Sequence, residues 1–106
     1  MKKMGFWVLA TLLALRLQCQ EYITISGKVI DVETEKPLPF STISIQNKPI
    51  GVVANDAGDF EFTFPRKHLT DTIVFSMAGY QSEKVLAQSL IKKHELKIEL
   101  VSKAVV

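Results

Sequence analysis

Cysteine is almost missing from this chain: Cys19 is the only one in 106 residues. A single thiol makes no internal disulfide, so a stapled small-protein framework is excluded. Histidine occurs twice, at His68 and His94, and tryptophan once, at Trp7. No apolar run reaches the roughly 20 residues a membrane helix needs. An excess of one charge sign is lacking as well. Three of the 13 basic residues, Lys2, Lys3 and Arg16, lie in the first nineteen positions, where there is no acid. The rest holds 10 basic and 11 acidic residues with the signs interleaved. A nucleic-acid surface needs basic residues gathered on one face, so this distribution argues against such a partner. With 47% apolar and 23% charged residues, neither a disordered nor a collagenous chain fits. The length suits one domain.

What is present begins with an address. Residues 1–20 read MKKMGFWVLATLLALRLQCQ: two lysines, an apolar stretch from Gly5 to Leu15, then a more polar end. That is the layout of a secretory signal peptide. Arg16 interrupts the stretch before a membrane-spanning length is reached, so export is expected, with no membrane span after signal removal. Two processing chemistries compete at Cys19. Lipidation would want small residues just before the cysteine, where Arg16, Leu17 and Gln18 stand. Cleavage after Cys19 fits the small-residue rule better, giving a signal over 1–19 and a mature domain over 20–106 that begins at Gln20. That domain would hold no cysteine and no tryptophan, hence neither a disulfide nor a thiolate nucleophile.

From Tyr22 onward the apolar spacing has period two, the signature of strands. Ile23, Ile25, Gly27 and Val29 alternate with polar residues up to a turn at Thr34–Pro37. Pro37 and Pro39 bracket Leu38 and lead into a second strand, Phe40–Ile45, which Asn47-Lys48-Pro49 closes. Gly51–Ala54 forms a short third strand, and Asn55-Asp56-Ala57-Gly58 reads as a turn. Phe60, Phe62 and Phe64 then share one face and mark the core centre. Pro65 stops that strand, and Arg66–Thr70 is a loop or one helical turn. Ile73, Phe75 and Met77 define a fifth strand, ended by Gly79-Tyr80. Residues 83–87 are ambiguous between a strand followed by a turn and a helical turn marked by Leu86, Leu90 and Ile91. Leu96, Ile98 and Leu100 form the last strand. Seven short strands with turn signals between them predict an all-β fold, a seven-stranded antiparallel Greek-key sandwich of the transthyretin-like or immunoglobulin-like kind, preceded by the signal peptide.

Four segments, taken in order, carry a family likeness: Ile25-Ser26-Gly27-Lys28-Val29-Ile30-Asp31, the run Pro37–Ile45, Asn55-Asp56-Ala57-Gly58-Asp59-Phe60, and Asp71–Tyr80. Together they resemble the carboxypeptidase-regulatory-like family, also described as a transthyretin-like or prealbumin-like sandwich. The resemblance covers about Tyr22 to Val101. It implies a noncatalytic accessory module, often at the N-terminus of larger exported or outer-membrane proteins of Gram-negative bacteria, TonB-dependent transporters among them. Two departures bear on turn type and edge polarity: Glu35 stands where the family commonly has glycine, and Val52-Val53-Ala54 where threonines are usual. The matched residues also have structural reasons of their own. Gly27 relieves crowding where backbones approach, Gly58 permits a tight turn, and Gly79 lets Tyr80 fold back over the sandwich edge with its hydroxyl on solvent or a backbone carbonyl.

No catalytic, cofactor-binding or metal-binding residue is assigned. His68 and His94 sit in no HExxH arrangement and read as two surface histidines. Seven serines (Ser26, Ser41, Ser44, Ser76, Ser82, Ser89 and Ser102) are nominal nucleophiles, yet none lies in a GxSxG elbow. Asn55, Asp56 and Asp59 offer oxygens to a cation but lack the twelve-residue loop spacing of a calcium site, so turn chemistry accounts for them. Open edge strands are the physical candidate for binding, because their free backbone groups accept a partner strand; the competing reading is a packing-only domain with protected edges. The expectation is an accessory or interaction module of the periplasm or outer membrane, its partner another envelope protein or a covalently following domain. The alternatives are a free-standing glycan- or small-ligand-binding sandwich and, since the chain stops just past the last strand, a truncated product of a larger outer-membrane protein.

Overall fold

A computed structural model describes residues 21–103; the expected signal, with Trp7, Cys19 and the cleavage point, lies outside the described residues. Seven strands form: β1 (Tyr22–Asp31), β2 (Thr42–Ile45), β3 (Gly51–Val53), β4 (Asp59–Pro65), β5 (Thr72–Ser76), β6 (Glu83–Leu86) and β7 (Leu96–Leu100). A 3-10 turn over Arg66–Thr70 links β4 to β5, and one α-helical turn, α1 (Ala87–Leu90), follows β6. The ambiguous sixth segment is thus both strand and turn. Its four-residue strand keeps Val85 packed on the core, while Ala87 and Leu90 bury one side of the turn.

The strands make an all-β sandwich of two sheets, in the orders β4-β1-β7 and β3-β2-β5-β6. Alternation explains which side faces in. Along β4, Phe60, Phe62 and Phe64 are buried and the residues between them exposed. Phe60 meets Phe75 of the opposite sheet edge to face, with ring centroids 5.7 Å apart, and Phe62 tilts against Phe64 at 5.2 Å. Ile25, Val29, Ile43, Ile45, Ile73 and Leu100 complete the centre of the core.

Pairing differs from the expected all-antiparallel pattern at one place: β1 and β7 run parallel, Gly27 opposite Leu96 through Asp31 opposite Leu100. A parallel neighbour requires a crossover connection, and the chain supplies one by passing through the other sheet, with α1 and residues 91–95 before β7. Gly27 makes this pairing possible. A Cβ there would run into the Leu96 carbonyl oxygen and lie 2.7 Å from the Leu96 Cβ.

The second strand also begins later than its sequence suggests. Phe40 and Ser41 precede β2, and Phe40 adopts φ 63° with its side chain 63% exposed. The bend lets Phe40 N–H donate to Asn55 O at 3.2 Å and Ala54 N–H to Ser41 O at 2.8 Å, closing the loop onto the Asn55 turn.

Candidate functional site

The polar groups that could carry chemistry fall into separate clusters. The first lies where β1 ends. Asp31 Oδ1 accepts the backbone N–H of Glu33 at 2.8 Å and of Thr34 at 3.1 Å, shaping the turn. Its other oxygen, Oδ2, accepts the Tyr80 hydroxyl at 2.6 Å. The expected acceptor for Tyr80 was solvent or a backbone carbonyl. The structure corrects this to a carboxylate, because Asp31 stands at the rim of the opposite sheet where the ring folds over. The Tyr80 bond, then those from Thr34 and Glu33, hold the Asp31 carboxyl below its ordinary 3.8, while the same bond to Asp31 pushes the Tyr80 phenol above 10.0. A carboxylate committed to three donors is spoken for, and the pair acts as a clasp between sheets.

The second cluster joins Lys48, in the β2–β3 turn, to the β4–β5 connection. His68 Nδ1 and Lys48 Nζ both lie 2.7 Å from Asp71 Oδ2. A carboxylate only accepts, so Nδ1–H donates, and the lysine bond followed by the histidine bond lowers the Asp71 pKa. Here the expectation of two surface histidines is corrected: His68 is 5% exposed, because the 3-10 turn folds its ring under the sandwich. His94 is exposed, before β7. The His68–Asp71 pair has the orientation half of a hydrolase triad, with Nδ1–H committed to Asp71 and the Lys48 ammonium, itself only a donor, held by the same carboxylate oxygen.

Of the nominal serine nucleophiles, Ser41 is wholly buried and Ser89 donates to Leu86 O at 2.7 Å. Ser102 lies opposite Tyr80 in an isolated bridge. Asn55 Oδ1 accepts from Ala57 N–H and Asp59 N–H, both at 2.9 Å, so its oxygen shapes the turn, and Gly58 enters it at φ 78°. Asp59 instead faces Lys28 at 3.7 Å. Among the described residues no three metal-ligating side chains gather, and no helix is long and apolar enough to cross a membrane.

Surfaces remain. β3, β4, β6 and β7 are the outer strands of the two sheets, and each offers backbone groups on one side. Beside β2, Phe40 stands over a shallow cleft formed with Thr42, Ser76, Met77, Tyr80 and Lys103. Its backbone is left-handed, a conformation that costs a bulky residue about 1–2 kcal/mol. Sequence reasoning missed its bend because Phe40 opens a strand-like run and reads as the first residue of that strand. It equally missed the two carboxylate clusters, whose members are far apart in the chain.

The profile of the CarboxypepD_reg-like domain matches residues 25–106 of the chain. No curated protein matches the chain.

Proposed function

Because the chain belongs to the CarboxypepD_reg-like domain family, we propose that it serves as a noncatalytic interaction module of the bacterial cell envelope, exported to the periplasm or outer membrane. There it would dock on another envelope protein or on a domain that follows it, the role implied by its resemblance to the N-terminal domains of TonB-dependent proteins. Family membership is the observation that carries this reading, since the domain is of a regulatory, noncatalytic type. The engagement of Asp31 and Asp71 within the fold supports it, because their polar atoms go to joining structural elements. The N-terminal charge and apolar pattern supports export.

Phe40 favours a second reading, a glycan- or small-ligand-binding sandwich. An exposed ring held in costly backbone beside a cleft is a natural stacking platform for a sugar face.

Expression of the full chain in a Gram-negative host, followed by fractionation and intact mass, tests the first reading. The expected product is an envelope protein beginning at Gln20 without tryptophan fluorescence, inert toward peptide, ester and ureide substrates with or without zinc. A lipid-modified Cys19 would make it a lipoprotein. Full-length protein retained in the cytoplasm, or zinc-dependent turnover lost on replacing His68 or His94, would overturn it. Saturable glycan binding abolished by Phe40→Ala would select the second.

A further inference from the structure

Two copies of a chain can join edge to edge only by running their outer strands antiparallel about a twofold axis perpendicular to the sheet. Inward side chains then face inward ones, so every permitted register is centred on a residue opposite its own copy. This rule sorts the outer strands. In β4 the registers centred on Phe60 and Glu61 oppose acid to acid, and those centred on Phe62 and Thr63 set Glu61 against Thr63 or Pro65, so none pairs opposite charges. Centring β6 on Glu83 or Lys84 again opposes like charges, and centring it on Val85 sets Lys84 against Leu86, so here too no opposite charges meet. β3 has only three residues.

β7 behaves differently. Its sequence, Leu96-Lys97-Ile98-Glu99-Leu100, is antisymmetric in charge about Ile98. Centred there, Lys97 of each copy faces Glu99 of the other on the outer side, and Leu96 faces Leu100 on the inner side. Centred one residue away, lysine meets lysine or glutamate meets glutamate. The backbone agrees with the same register. Val32 N–H donates to Leu100 O at 3.1 Å, and Leu96, Ile98 and Leu100 alternate with Lys97 and Glu99 along the strand. Alternation therefore turns the N–H and C=O of Lys97 and Glu99 away from β1, toward the open side. No backbone bond from another described segment reaches them; the first on that side, Gln81 N–H to Val101 O, falls past the end of the strand and limits the open edge to Leu96–Leu100. In the Ile98-centred register these are the residues that stand opposite each other, each pair exchanging both its backbone bonds.

We propose that β7 is a self-pairing edge, through which a second copy of this chain extends the three-stranded sheet into a continuous β4-β1-β7-β7-β1-β4 sheet. The charge antisymmetry of Lys97 and Glu99 names the occupant: a second copy satisfies both charges in one register, which an arbitrary strand does not. The pairing goes beyond the envelope role and is independent of it.

Sedimentation of the purified chain over a concentration series tests the proposal. The expected result is a reversible monomer–dimer equilibrium in which the amides of Lys97 and Glu99 gain exchange protection as concentration rises. Symmetry makes each single substitution act twice. Lys97→Glu alone and Glu99→Lys alone are each expected to raise the dissociation constant about tenfold or more. An equimolar mixture of the two variants restores a heterodimer, because every opposed pair is then of opposite charge; the double variant restores the homodimer. The mixture also reports that each variant is folded. A wild-type chain that stays monomeric to about 1 mM, a dimer that both single variants leave unchanged, or a mixture no tighter than its components would each overturn it.

Discussion

Tyr80 and Asp31 are 49 residues apart in the chain and joined by a 2.6 Å hydrogen bond. The phenol comes from the β5–β6 connection and the carboxylate from the end of β1, so one bond spans the two sheets. Neighbouring backbone bonds reinforce it: Gln81 N–H donates to Val101 O and Lys103 N–H to Gly79 O, both at 2.8 Å. The segment after β7 is thereby pinned against the same corner.

This clasp makes stability depend on pH at both ends. The Asp31 carboxyl is lowered in the fold, so its contribution is present above the ordinary 3.8 and is lost as pH falls through the lower folded value. The Tyr80 phenol is raised, so its contribution is present below 10.0 and is lost as pH rises through the higher folded value. Tyr80→Phe keeps the ring and removes the bond. Urea denaturation across pH is expected to show a flatter profile for the variant at both extremes; curves of unchanged steepness would show that the bond contributes nothing.

Glu35 supplies a second prediction. It holds φ 60° in the turn after β1, the left-handed conformation that glycine takes freely and a glutamate does not. Glu35→Gly is expected to stabilise the protein by about 0.5–1 kcal/mol, the relief of strain outweighing the extra freedom of the unfolded chain. Thermal melting would register a rise of a few degrees.

The core supplies a third. Phe62 is 1% exposed and packs tilted against Phe64. Phe62→Ala is expected to cost about 3–5 kcal/mol, measured by denaturant titration. An unchanged midpoint would contradict the central place given to this face.

Gly27→Ala is the fourth. The added methyl group would press on the Leu96 backbone, which belongs to the neighbouring strand and has no flexible end to yield. A loss of about 1–3 kcal/mol is expected, with faster amide exchange concentrated in β1 and β7.

The face of each strand was readable because burial follows period two: Phe60, Phe62 and Phe64 lie inward as their spacing demands. The Asn55 turn was readable because its bonds are local. The neighbour of each strand was not, since periodicity says which side is buried and nothing about which strand lies alongside. That is why the parallel β1–β7 pairing escaped it. Burial of His68 had the same cause: Lys48, which shares the Asp71 carboxylate with it, is 23 residues from Asp71 in the chain and arrives only when the β2–β3 turn packs beside the 3-10 turn. Glycine-like geometry at Glu35 was hinted at by the family's preference for glycine there, although the residue itself gave no sign.

The parallel course of β1 and β7 has a mechanical consequence. A pull entering at Tyr22 and leaving at Leu100 draws two hydrogen-bonded neighbours past each other lengthwise, so their ladder from Gly27 to Asp31 carries the load in shear. The same pull between Tyr22 and Pro65, which are opposed in the antiparallel β1–β4 pair, would peel the bonds apart one after another. Forced unfolding is governed by the barrier that the load meets first. This sandwich is therefore stiff along one line through its first and last strands and weak along another.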